Sequence, residues 1–213
     1  MSNPKTIVIL AAGEFPRKPS VLRLLDEADM IACCDSAAVK LLEQGCWEPG
    51  LIVGDMDSFP TEIREQYADR MVICRGQDDN DLTKTFHEVL KLSPDVIHIL
   101  GATGIREDHT LANISLLADY QREAPLCRID MVSDWGRFVA ASGQQSFASR
   151  PGQEVSIFAF DASLRMTATG LQYPLEGVVF DTLWKASLNV ATDISFTLSP
   201  SNNSFYLVYL AER

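Results

Sequence analysis

The rhythm of apolar residues changes partway along this chain, near Ser133, and that change limits the folds open to it. Before it, short apolar runs such as TIVIL at 6–10, MIACC at 30–34, VIHIL at 96–100 and RIDMV at 128–132 are nearly continuous. Continuous runs mark strands buried on both faces, the habit of a parallel sheet. Shorter runs at 51–53 and 71–74 read the same way. Between them lie segments with helical spacing: 19–28 with Val21, Leu22, Leu24 and Leu25, and 36–44 with Ala37, Ala38, Leu41 and Leu42. Residues 61–67, 82–92 (Phe86, Val89 and Leu90 inward) and 110–121 complete the helices. Strands alternating with helices predict a parallel sheet covered on both sides. Beyond Ser133 the runs shorten and alternate, at 137–141, 155–160, 163–167, 178–180, 194–198 and 205–210. Breaks rich in Gly, Pro, Ser and Asn separate them, as in RPGQ, TGLQYP and SPSNNS. That pattern predicts an antiparallel sheet or sandwich. The expected class is α/β: an open parallel sheet with flanking helices over 1–132, then a smaller antiparallel β-sandwich-like domain over 133–213.

Charge narrows the function. Of 213 residues, 46% are hydrophobic and 22% charged, and the formal net charge is −11. So acidic a protein is a poor binder of nucleic acid or anionic lipid, both of which reward Lys and Arg. An acidic protein that handles a phosphorylated ligand usually needs a cation between the two, which makes a divalent metal the natural suspect. Five cysteines without a CxxC pair, three of them in or beside apolar runs, fit a reducing cytoplasm. Three histidines leave little room for a Cys/His zinc site. The start, MSNPKTIVILAAG, has too short an apolar run for a signal peptide, and no stretch approaches the length of a membrane span.

Three segments carry candidate chemistry. Gly54-Asp55-Met56-Asp57-Ser58 follows the strand at 51–53. In open α/β sheets ligands bind outside the carboxyl ends of strands. A DxD loop there can aim two carboxylates at one Mg²⁺, which leaves its other positions to phosphates and water; the plain alternative is a solvated acidic turn. Asp35 follows the strand at 30–34, and Asp81 opens a helix after Gln77-Asp78-Asp79-Asn80. Asp78 or Asn80 can cap that helix, but one cap does not account for three aspartates in four positions. Asp81 and Lys84 form either a surface ion pair or a metal ligand beside a phosphate contact. The third segment, Gly101-Ala102-Thr103-Gly104-Ile105-Arg106-Glu107-Asp108-His109-Thr110, joins a strand to a helix. Its glycines let backbone N–H groups approach phosphates, and Arg106 offers a planar fork for phosphate oxygens. No Walker A pattern is present. Asp108 and His109 are either cap and packing groups or ligand contacts, with His109 a candidate general base.

In order, DSAA at Asp35, GDMDS at Asp55, QDDNDLTK from Gln77, GATGIREDHTLAN from Gly101 and TGLQYPL from Thr169 resemble thiamine pyrophosphokinases. The resemblance spans most of the chain. It implies an Mg²⁺-dependent thiamine diphosphokinase that transfers a pyrophosphoryl group from ATP to thiamine. It also implies an N-terminal nucleotide domain, and a C-terminal β domain that contributes to thiamine binding and to a homodimer. Asp55, Asp57 and Asp81 then correspond to the metal carboxylates, with Asp35 a fourth catalytic acid nearby. Lys84, Thr103, Arg106, Asp108 and His109 correspond to the ATP side. Gln77, Trp184, Ser187 and Asn189 correspond to the thiamine side, where Trp184 can stack on a flat ring. Asn113 also matches the motif. Some positions depart from the family pattern. DSAA stands for the commoner DGGA, Asn80 for Thr, Ile105 for Gly, Glu107 for an apolar residue and Leu188 for Ser. These departures touch the acceptor side and leave the metal carboxylates in place. They keep two alternatives in view, a related pyrophosphotransferase with another acceptor and a non-catalytic thiamine or nucleotide sensor.

Overall fold

The computed structural model describes residues 5–57, 59–76 and 78–212. The chain divides into two compact units, 1–134 and 135–213.

In unit 1 the apolar runs become strands β1 (Thr6–Leu10), β2 (Met30–Cys34), β3 (Leu51–Gly54), β4 (Met71–Ile73), β5 (Val96–Leu100) and β6 (Arg128–Ser133). They pair in parallel in the order β6-β5-β1-β2-β3-β4. Chain order therefore reverses direction between β1 and β5, the kind of switch point at which open α/β sheets bind ligands. Helices α1 (Pro19–Glu27) and α2 (Ala37–Glu43) place Val21, Leu25, Ala38 and Leu41 against Val8, Leu10 and Ile52 on one face. Helix α3 (Thr61–Gln66) follows β3. On the other face, α4 (Asp81–Leu90) packs on β1, β2 and β3, and α5 (Glu107–Glu123) packs on β6. Phe86 of α4 stacks on Tyr120 of α5 with ring centroids 4.1 Å apart. Helix α5 starts three residues before the predicted 110, because Glu107 and Asp108 suit the positive end of a helix. Within the sheet, His98 of β5 faces Asp130 of β6 with Nδ1···Oδ1 at 2.6 Å, both side chains buried.

Unit 2 is an antiparallel sandwich. Strands β7 (Gly136–Ala141), β9 (Glu154–Ala159), β11 (Ala186–Val190) and β13 (Tyr206–Ala211) form one sheet in the order β11-β9-β13-β7. Strands β8 (Gln145–Ala148), β10 (Met166–Thr169) and β12 (Ser195–Pro200) form the other, in the order β10-β12-β8. Ile157, Met166, Phe196, Leu198, Tyr206 and Val208 fill the space between them. Residues 178–180, predicted as a strand, are not one. Gly177 turns the chain with φ +82°, and Phe180 enters the core from a loop. The strand predicted at 163–167 sits two to three residues later, after the turn held by Asp161 and Ser163.

Candidate active site

The acidic residues gather at the carboxyl ends of β2 and β3 and at the start of α4. Asp35 follows β2 with φ 39° and donates its backbone N–H to Val53 O at 2.8 Å. Its carboxylate lies on Gly54: a Cβ there would meet Asp35 Cβ at 2.7 Å and Oδ1 at 2.9 Å. Glycine at 54 is thus the condition for Asp35 to sit where it does. In the following turn the middle residue points inward. Met56 is buried, with φ 61°, and its carbonyl accepts from Arg64 Nη2. With Met56 anchored, Asp55 is left half-buried and Asp57 exposed. Asp57 N–H donates to Asp55 Oδ1 at 3.1 Å, which holds the turn.

Asn80 resolves the capping alternative. Its side chain accepts from Thr83 N–H at 2.8 Å, so Asn80 caps α4 and Asp81 is the first helical residue. Asp81 Oδ1 accepts from Lys84 Nζ at 3.1 Å, and the Lys84 side chain is only 11% exposed. Buried Thr85 donates to Asp81 O at 2.7 Å. The thiol of Cys34 at the end of β2 is pushed up to about 12, chiefly by burial. The negative charges of Asp81 and Asp35 add to that shift, and a bond to Thr85 opposes it. Helix α4 packs on β2 and β3, the strands that Asp35 and Asp55 follow. Among the described residues no three His, Cys, Asp or Glu side chains form a metal-holding group. The carboxylates nevertheless fit Mg²⁺, a hard ion that usually takes one or two protein carboxylates and completes its shell with phosphate oxygens and water.

The loop after β5 is fastened to the loop after β1. Ala11, Gly13 and Glu14 donate backbone N–H groups to Leu100 O (2.8 Å), Gly101 O (2.7 Å) and Thr103 O (2.9 Å). The approach is close enough to exclude side chains: a Cβ on Gly13 would stand 2.4 Å from Gly101 O. Asn113 Nδ2 donates to Ala102 O at 2.8 Å, so the helix holds its own preceding loop. Arg106 and Asp108 form a two-pronged pair, Nε–Oδ1 3.0 Å and Nη2–Oδ2 2.5 Å. The Arg106 bonds, with His109 N–H in support, hold the Asp108 carboxyl at about 2. His109 is exposed and bonds through its backbone only as far as the described contacts go. Thr103 is half-buried.

On unit 2, Trp184 is 70% exposed, with Lys185 Nζ 5.7 Å from its ring centroid. Ser187 Oγ donates to Trp184 O at 2.7 Å. Asn189 is buried and its amide is spent on the fold. Oδ1 accepts from Tyr173 and Val190 N–H, and Nδ2 donates to Tyr173 O at 2.8 Å. Gln77 and Ser58 lie outside the described residues. Sequence reasoning missed Lys40, whose Nζ donates to Ala12 O at 2.6 Å and Gly13 O at 2.9 Å.

Comparisons with known proteins bear on both units. A family model described as thiamin pyrophosphokinase, catalytic domain, matches residues 21–128, and one described as its substrate-binding domain matches 136–209. A thiamine pyrophosphokinase of Bacillus subtilis is 29% identical over 178 residues, 80% of this chain and 82% of that one. The fold is that of the thiamin pyrophosphokinase from Candida albicans, with TM-score 0.81 and 15% identity over 99% of this chain and 90% of the other. A Bacillus subtilis thiamine pyrophosphokinase structure gives TM-score 0.80 at 24% identity, covering 98% of this chain and all of that one.

Proposed function

This chain belongs to the thiamin pyrophosphokinase family and is a thiamine diphosphokinase, and we propose that it transfers the pyrophosphoryl group of ATP to thiamine with Mg²⁺, releasing AMP. The observation that carries this reading is the set of carboxylates on neighbouring elements: Asp35 after β2, fitted on Gly54, Asp55 and Asp57 in the turn after β3, and Asp81 at the start of α4, which packs on both strands. Asp55, Asp57 and Asp81 would hold the ion, which supplies Lewis-acid stabilisation of phosphate charge. Lys84 and Arg106 each hold a carboxylate now, and exchange it for phosphate oxygens when the nucleotide binds. The loop 101–106, braced by Asn113, sets the path of the phosphates. The thiamine hydroxyl oxygen bonds to the β-phosphorus, the bond from that phosphorus to the oxygen bridging to the α-phosphorus breaks, and AMP leaves. Asp35 or a metal-bound water would accept the hydroxyl proton. Positioning and charge account for most of such a transfer.

On this reading residues 1–132 carry nucleotide and metal, and 133–213 contribute to thiamine binding and to a homodimer. Trp184 stacks on thiamine, Gln77 and Ser187 make polar contacts, and Asn189 holds the segment in shape. Among the described residues no helix is long and apolar enough to cross a membrane.

The test is AMP release from Mg·ATP with and without thiamine. Thiamine-dependent AMP with equal thiamine diphosphate supports the reaction. Binding of Mg·ATP without such product favours another acceptor or a sensor. Asp57→Asn removes charge from an exposed position, so the fold holds while turnover falls on the order of 10²-fold or more, the scale of losing one preorganised electrostatic group.

A further inference from the structure

Helix α5 grips the first turn of α4. The Tyr120 hydroxyl lies 2.8 Å from Thr83 Oγ1, and the Tyr120 ring stacks on Phe86 with the two planes 18° apart. Thr83 and Phe86, three residues apart, share one face of α4. Asp81 is two residues before Thr83, about 200° round the helix, so it points to the other side. Thr83 is held twice, by Asn80 through its backbone N–H and by Tyr120 through its hydroxyl. Thr85 ties down the same turn by donating to Asp81 O. The turn that carries Asp81 and Lys84 is therefore fixed from behind.

Packing alone does not ask for a tyrosine at 120. Leu117, Ala118 and Tyr120 are the buried residues of α5. Phenylalanine would stack on Phe86 equally well, and a buried hydroxyl costs free energy unless it is bonded. The phenol oxygen is accounted for by its bond to Thr83. The same face of α5 holds the loop 101–106. Asn113 stands seven residues before Tyr120, two turns back on that face, and donates to Ala102 O at 2.8 Å. The two grips are thus about 10 Å apart along one rigid element. A further link between the helices, His87 Nε2 to Glu123 Oε2 at 3.3 Å, is exposed and of the kind that contributes little.

We propose that Tyr120 is a positioning residue, which through Thr83 sets the place of Asp81 relative to the loop that Asn113 holds. The proposal rests on the reading of Asp81 as a magnesium ligand and adds what keeps that ligand in register with the loop 101–106. Transfer of a phosphoryl group depends largely on such placement.

Tyr120→Phe keeps the stack and removes the hydroxyl. Half-saturation by Mg²⁺ in the AMP assay then shifts up about tenfold, the low end of what losing a group behind a metal ligand costs, and KM for thiamine stays unchanged. Mn²⁺ binding followed by electron paramagnetic resonance reads the same shift without turnover. Thr83→Val reproduces it, Thr83→Ser keeps the wild-type values, and Tyr120→Phe combined with Thr83→Val adds nothing to either alone. Glu123→Gln, which breaks the exposed link, leaves the Mg²⁺ dependence where it is. A merely structural Tyr120 gives another pattern: urea midpoints fall while Mg²⁺ and Mn²⁺ half-saturation stay at wild-type values, and that overturns the proposal. If Tyr120→Phe does not fold, equal half-saturation in Thr83→Val and Thr83→Ser overturns it instead. Failure of the underlying reading is distinct. A wild-type protein that binds Mn²⁺ but releases no thiamine-dependent AMP overturns the reaction, and the Mn²⁺ comparison still decides the role of Tyr120. One that binds no Mn²⁺ overturns the magnesium reading and the role of Tyr120 with it.

Discussion

The loop 101–106 of unit 1 and the bulge between Ala186 and Asn189 of unit 2 share a backbone feature and differ in how they use polar side chains. Each holds an exposed aliphatic residue in left-handed conformation, Ile105 at φ 67° and Leu188 at φ 58°. They are 71% and 72% exposed. In the loop, the charged residues pair with one another at the surface, Arg106 with Asp108, so a ligand can take over those bonds at little cost. In the bulge, Ser187 donates to Trp184 O, and Asn189 is buried with both its amide oxygen and its amide nitrogen bonded to backbone. Exposed in and before the bulge are the apolar Leu183, Trp184 and Leu188, with Lys185 between them. The same motif-level reading therefore covers two physical cases, side chains paired with each other at the surface and a side chain bonded into the fold.

The largest effect expected from that difference is at Asn189. Asn189→Ala leaves the N–H and C=O of Tyr173 and the N–H of Val190 without their partner. An unmet buried group costs about 1–3 kcal/mol, and because Tyr173 is exposed and water can reach part of what is left, the loss should total about 1–3 kcal/mol, read by urea unfolding. Arg106→Ala, by contrast, removes an exposed pair and should leave unfolding nearly unchanged while weakening ATP binding. If Asn189→Ala left stability intact and raised only KM for thiamine, the comparison would be reversed.

The sequence rendered the first unit well because most of its strands are nearly continuous apolar runs, which only burial on both faces accommodates. It rendered the second less well. QSFA at 145–148 and ASLNV at 186–190 lack a clean alternation, the latter because Leu188 sits in a bulge that breaks the two-residue period. Val178 and Phe180 look like a strand but supply loop-borne apolar groups to the core. At the site, the aspartates were visible because acids at strand ends are hard to explain structurally. Contacts between residues distant in sequence were not: the Lys40 bonds to Ala12 and Gly13, the fit of Asp35 on Gly54, and the His98–Asp130 pair all depend on register or loop approach.

A smaller effect separates the two left-handed residues. A Cβ in this region costs about 1–2 kcal/mol, and a β-branched side chain is the worse occupant. Replacing either residue by glycine relieves the strain but frees the unfolded chain by about 0.4–1 kcal/mol. Ile105→Gly should therefore gain about 1 kcal/mol net in urea unfolding, and Leu188→Gly close to none. Equal gains at both positions would remove branching as the distinguishing factor.

The smallest effect is electrostatic and confined to the loop. Bonds from Arg106, then from His109 N–H, hold the Asp108 carboxyl at about 2, against an ordinary 3.8. A depressed carboxyl contributes stability that is complete above its unfolded value and is lost as pH falls through the folded one. The pair's contribution should thus be intact above about pH 4 and fade toward pH 2. Because both side chains are well exposed, stability itself should move little. The readout is the Asp108 carboxyl titration by NMR. Arg106→Gln should bring its midpoint up toward the ordinary value, stopping short of it because His109 N–H still donates. A midpoint unmoved by that substitution would mean that the backbone N–H, and not the guanidinium, sets the carboxyl, and that Arg106 is already free for phosphate.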